Sequence, residues 1–131
     1  MTATLKQAQE QGIVPWDDPY FEDKTFWIFR DQYPVSPGHL LFVPKDNNPD
    51  CIMDCFRAAH QYGQWAVLQG EANAYNIGMN CGSAAGQTVM YPHVHMIPRH
   101  HGDCVDPVGG VRGVIPGQAN YKQSGYKNPN K

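Results

Sequence analysis

What this 131-residue chain lacks narrows its chemistry before anything it contains. Basic and acidic side chains nearly balance, 10 against 12, for a formal charge of −2. That leaves no broad electrostatic footprint for a nucleic-acid polymer, so a polyanion has to be bound locally. No stretch approaches the roughly 18 consecutive apolar residues of a membrane span, and residues 1–11 are polar with no apolar signal region. The expectation is a soluble, cytoplasmic protein with no membrane partner. Cysteine is sparse: Cys51, Cys55, Cys81 and Cys104 form no C-x-x-C pair. Cys51 and Cys55 stand four apart on a predicted helix, which suits small buried side chains, and free thiols are the default without a secretory signal. There are no repeats or low-complexity tracts. The length allows one domain, 1–131, able to bury roughly two-thirds of its unfolded surface.

The elements follow from local pattern. Residues 1–11 hold helix formers without a sharp apolar face and predict a short helix or frayed arm. Pro15, Trp16 and Pro19 mark an irregular lead-in, with Trp16 either over a pocket edge or in peripheral core. Thr25-Phe26-Trp27-Ile28-Phe29-Arg30-Asp31 is an aromatic and β-branched strand. The Pro34, Pro37 and Gly38 connection makes it the antiparallel partner of Leu40-Leu41-Phe42-Val43. Asn48-Pro49-Asp50 is a strong helix start. Ile52, Phe56, Ala59, Gly63, Ala66, Val67 and Gly70 then recur at helical steps, giving one long core-packing helix on which His60 and Trp65 read as structural. Residues 74–80 return as a strand, and 118–131 form a polar, loosely ordered tail.

The chemistry centres on Tyr91-Pro92-His93-Val94-His95-Met96-Ile97. In a strand, alternate residues share a face, so Tyr91, His93 and His95 line one surface with the two imidazoles roughly 6 to 7 Å apart. One phosphate fits between two such rings. Pro92 cannot donate to a ladder, which predicts either an edge strand, whose histidine face would be open, or a Pro92 that faces away from any neighbour. Such alternation also describes any half-buried strand, and paired histidines are common metal ligands. Against metal, residues 96–99 contain no carboxylate, and His100, His101 and Cys104 fit no standard zinc spacing. Upstream, Asn80-Cys81-Gly82-Ser83-Ala84-Ala85-Gly86-Gln87 is a run of small residues whose backbone N–H groups can approach an anion.

These residues resemble the histidine triad (HIT) family of nucleotide hydrolases and transferases, whose signature is three histidines alternating with apolar residues after a Gly-Gln pair. The second and third histidines fall on His93 and His95, and Tyr91 replaces the first. Phe29-Arg30-Asp31 and Ser36-Pro37-Gly38-His39-Leu40-Leu41-Phe42-Val43-Pro44-Lys45 resemble the family's other block, so the likeness spans about 17–116, leaving 1–12 and 117–131 peripheral. It is nearest to a bacterial-type, dinucleoside polyphosphate hydrolase-like member. The resemblance implies an α+β fold, with an antiparallel sheet of about five strands, one long helix and a short N-terminal helix, assembled as a homodimer.

The resemblance further implies cleavage at the α-phosphate of a purine nucleotide, either a dinucleoside polyphosphate or a nucleoside phosphoramidate. His93 is then the nucleophile, oriented by the backbone carbonyl of Tyr91, with His95 and His39 on the phosphate oxygens and Gln87 bridging the leaving group. Asp31 binds the ribose hydroxyls, Phe29 and Arg30 flank the base, Asn80 and Ser83 hold ribose and phosphate, and Arg112 reaches a polyphosphate, with Tyr91 among the substrate-binding positions. Neutral imidazole is nucleophilic near pH 7, so no metal is required to activate it, which leaves room for a divalent metal carried by the polyphosphate. Alternatives are a nucleotidyltransferase using the same intermediate, since Pro92-His93 is similar to the H-P-H of galactose-1-phosphate uridylyltransferase relatives, or a non-catalytic nucleotide- or metal-binding β module.

Overall fold

The computed structural model describes residues 2–131 and divides them into two units, one ending at His100 and the other His101–Lys131. In the first, Thr4 caps a short helix, α1 (Leu5–Glu10), by accepting from the Gln7 N–H at 3.1 Å. The strands are β1 (Phe21–Glu22), β2 (Phe26–Arg30), β3 (Leu40–Pro44), β4 (Ala74–Gly78) and β5 (Val94–Arg99), and the long helix α2 (Pro49–Leu68) joins β3 to β4. They form one antiparallel sheet of order β1-β2-β3-β5-β4. The α+β architecture is the one expected.

The sheet separates two cores. On one face Phe26, Ile28, Leu40, Phe42, Val94 and Met96 pack against Cys55, Ala58 and Ala59 of α2. On the other, Phe29, Leu41 and Val43 pack with Leu5, Ala8, Val14, Trp16 and Tyr91. Strand alternation therefore divides β2 and β3 between the two layers.

Three expectations need correction. β5 is an interior strand, paired with both β3 and β4, and not an edge. Pro92 lies before the ladder begins at Val94, while Pro98 sits beyond Leu40↔Met96, where pairing with β3 has ended. Second, the buried row of α2 is Cys51, Cys55, Ala58, Ala59, Gly63 and Ala66, so small residues bring the helix backbone close to the sheet. Ile52 and Phe56 lie at its margins, Val67 is exposed, and Gly70 falls beyond the helix end. Third, Trp65, expected to pack, is 55% exposed, whereas His60, also exposed, makes a structural contact, its Nδ1 2.8 Å from the Tyr75 hydroxyl. The predicted N-cap is present: Asn48 accepts from the Cys51 N–H at 2.9 Å.

The second unit carries a 3-10 helix, Gly110–Val114. Arg112 lies over the rings of Tyr121 and Tyr126 and donates to the carbonyls of Ala119 and Gln118.

Gly63 offers a test of the helix–sheet fit, because a Cβ there would stand 2.3 Å from the Tyr75 ring, close to its root. Glycine to alanine inside a helix ordinarily gains about 0.5–1 kcal/mol, but overpacking costs about 1–3 kcal/mol. Gly63→Ala is expected to lower stability by about 1–2 kcal/mol in urea denaturation, and a stabilised variant would contradict this packing.

Candidate active site

Four side chains expected to act on substrate converge beside the β2–β3 connection: Asp31, His39, His93 and His95. Asp31 follows β2, and its N–H donates to the His39 carbonyl at 3.1 Å, extending the β2–β3 pairing by one step. His95 stands within β5, opposite Leu41 on one side and Gly78 on the other. A Cβ at Gly78 would meet nothing within 4 Å, so the surface beside His95 is open. His93 precedes the ladder, and Trp16, only 5% exposed, packs edge-on against its ring at 4.8 Å. Of the two roles considered for Trp16, core packing is the one observed, and it also sets the position of His93.

Fixed backbone partners assign the histidine tautomers. The Val35 N–H can only donate, so His39 Nδ1 accepts it at 3.2 Å and the His39 proton sits on Nε2. That Nε2–H faces His95 Nδ1 at 2.9 Å, with Asp31 Oδ2 at 3.4 Å. His95 thus accepts at Nδ1 and carries its own proton on Nε2. For His93 the partner is the Tyr91 carbonyl, which can only accept, at 2.8 Å from Nδ1. The His93 proton is therefore on Nδ1, and Nε2 keeps an unprotonated lone pair.

The rings are held neutral. Burial lowers the pKa of His39, opposed by the Asp31 carboxylate. Burial also lowers that of His93, opposed by the Tyr91 hydrogen bond and Asp31. For His95, burial together with the neighbouring His93 and His39 brings it down to about 4 despite Asp31. With His39 neutral, the 3.4 Å approach of Asp31 Oδ2 to its Nε2 is not an ion pair, and the Nε2 proton is directed to His95. Asp31, His39 and His95 each offer one ligand atom within 4.8 Å of the others, a nitrogen-rich set able to hold a transition metal such as zinc.

Other predicted site residues are placed differently. Phe29 and Tyr91 are buried in the core, 2% and 0% exposed, so neither ring faces a ligand. Tyr91 instead directs its hydroxyl to the Pro44 carbonyl at 2.7 Å. Arg30 turns to the helix side, stacks on Tyr20 at 4.4 Å, and lines a cleft there with Tyr62 and Trp65. Gln87 is engaged in its own loop: Oε1 accepts from the Gly82 N–H at 2.8 Å and Nε2 donates to the Val89 carbonyl at 3.0 Å. Ser83 begins an exposed 3-10 turn between Gly82 and Gly86, both at φ +91°, and Asn80 is half-buried ahead of it. Arg112 lies in the second unit, held as described. Sequence reasoning missed Val35, whose contribution is a backbone N–H and leaves no side-chain signal.

The HIT domain model matches residues 17–102. This chain belongs to the HIT family. Among HIT relatives, it is 35% identical over 91 residues to a bis(5'-nucleosyl)-tetraphosphatase [asymmetrical] of Schizosaccharomyces pombe, covering 64% of this chain and 50% of that protein. It is 28% identical to the adenylylsulfatase HINT3 of Arabidopsis thaliana, covering 65% and 47%. The chain thus spans about half the length of these two named enzymes. A zinc-bound histidine triad family protein of Mycobacterium smegmatis superposes with a TM-score of 0.64 at 28% identity, covering 79% of each chain. The HIT assignment accounts for the shared fold.

Neutral buried histidines make acid destabilising. Below pH 6.5 the unfolded chain takes up protons that the folded site refuses, so stability falls as pH drops from 6.5 towards about 4, the His95 value. After discounting for solvent at this half-buried site, the His95 share is about 2 kcal/mol. Urea denaturation at pH 7.5, 5.5 and 4.5, beside a His95→Gln control with a shallower slope, checks it. Equal slopes in both proteins would contradict the assignment.

Proposed function

We propose that this protein is a nucleotide phosphohydrolase that cleaves at an α-phosphate through a nucleotidyl-histidine intermediate on His93. The observation that carries the reading is the 2.8 Å contact between His93 Nδ1 and the Tyr91 carbonyl, which leaves Nε2 as a ready nucleophile without a separate base. Nε2 attacks the α-phosphorus, a P–N bond forms, and the bridging P–O bond breaks with its electron pair leaving on the departing group. Water then attacks phosphorus, the P–N pair returns to Nε2, and the nucleotide is released with the proton of the water.

Negative charge grows on the phosphoryl oxygens during both steps. His95 Nε2–H points its proton outward because Nδ1 is occupied by His39, so it donates to those oxygens as a preset dipole. Asp31 lies beside this pair and accepts from the ribose hydroxyls, selecting ribonucleotides. In this reading Gln87 shapes the small-residue loop that receives the phosphates, while Asn80 and Ser83 approach the nucleotide from that loop. Tyr91 acts through its carbonyl. A divalent metal enters with the polyphosphate, although the Asp31, His39 and His95 donors would also accept one. The protein works as a cytoplasmic homodimer on a purine nucleotide.

The named relatives support a nucleotide substrate: one is called a bis(5'-nucleosyl)-tetraphosphatase and another an adenylylsulfatase. Diadenosine tetraphosphate, adenylyl sulfate and adenosine phosphoramidate are therefore the substrates to compare, following AMP release with chelator present. Wild type is expected to release AMP from at least one, and His93→Ala to be slower by about 10³-fold or more. Equal release by both proteins would reject His93 as nucleophile. Inertness towards all three would reject the hydrolase reading.

A further inference from the structure

Tyr91 is the one position where this chain departs from the three-histidine signature, and its environment gives the departure a purpose. The β3–β5 ladder starts at Phe42↔Val94, so residues 91–93 lie outside it and no sheet pairing holds His93. Beside the Trp16 packing on the His93 ring, the Tyr91 side chain fixes this segment. Its ring is wholly buried, and its hydroxyl donates to the Pro44 carbonyl at 2.7 Å, with the Lys45 carbonyl at 3.2 Å. Both lie at the far end of β3, 46 or 47 residues away in sequence. The same residue's own carbonyl receives His93 Nδ1. One side chain is thus bolted to the sheet, and its backbone sets the proton position on the neighbouring histidine.

We infer that Tyr91 is a positioning residue whose hydroxyl, bonded to the end of β3, holds its carbonyl where it keeps His93 in the Nδ1–H form. This rests on the proposed role of His93. A loosened carbonyl lets the imidazole sample the Nε2–H tautomer, in which the lone pair points the wrong way for attack. The phenol never touches the substrate. It acts by raising the fraction of His93 that is competent, which affects turnover and leaves ground-state binding unchanged.

The experiment is Tyr91→Phe, which removes one oxygen and keeps the ring. Histidine 15N chemical shifts report the tautomer directly, and they need no turnover. Wild type is expected to show His93 protonated at Nδ1, and Tyr91→Phe to show a mixture of the two forms. With an active substrate, kcat is expected to fall about tenfold while KM stays within twofold. Loss of stability alone, with the His93 shifts unchanged in the folded variant, would overturn the inference. If Tyr91→Phe does not fold, wild type still decides it, since a His93 protonated mainly at Nε2 overturns it. Absence of AMP release by wild type with His93 in the Nδ1–H form would count against the hydrolase reading only.

Discussion

The hydrogen bond between His93 Nδ1 and the Tyr91 carbonyl governs everything the candidate site can do. A neutral imidazole has one proton and one lone pair, and a partner that can only accept decides which nitrogen carries which. Here the acceptor is a backbone carbonyl, so the choice does not depend on the pH of the surroundings or on a second titrating group. The His39–His95 pair follows the same logic with opposite polarity. A backbone N–H from Val35 forces the His39 proton onto Nε2, and that proton then dictates the form of His95. Two backbone groups thus define the state of three side chains.

The fold exists around this arrangement in a recognisable way. α2 covers one face of the sheet with small side chains, leaving the other face to Trp16, Tyr91 and the histidines. Burial on that second face strips water from the rings and keeps them neutral, which suits a nucleophile but costs stability in acid. Gly78, opposite His95, leaves the adjoining surface accessible. Burial and access are therefore separated along the same face: His93 is packed against Trp16, whereas His95 stands by open space.

Much of this was legible in the sequence, wherever a local cause was enough. Asn48-Pro49 announced α2 because capping is a property of a few adjacent residues, and Pro34, Pro37 and Gly38 announced the β2–β3 hairpin for the same reason. The grouping of His93 and His95 followed from strand alternation, and the family signature supplied Asp31 and His39. Errors arose where a distant partner decides. Pro92 suggested an edge or a position facing away from a neighbour, and standing two residues before β5 begins at Val94 it lies outside the ladder, so its missing donor costs no pairing. Tyr91 looked like a site residue from its place in the triad, yet the carbonyls of Pro44 and Lys45 draw its phenol into the core. Trp65 fits a helical spacing, and only the choice of small residues for the packing face leaves it outside.

Trapping the intermediate decides whether catalysis on His93 is covalent. The protein would be mixed with the fastest adenylyl substrate, quenched in alkali within one turnover, and the peptide holding His93 examined by mass spectrometry. One nucleotidyl group is expected on His93 in a pulse that decays as AMP appears, with none in His93→Ala. AMP release at the wild-type rate with no adduct on any residue at any time point would contradict covalent catalysis, because water would then be attacking the substrate directly.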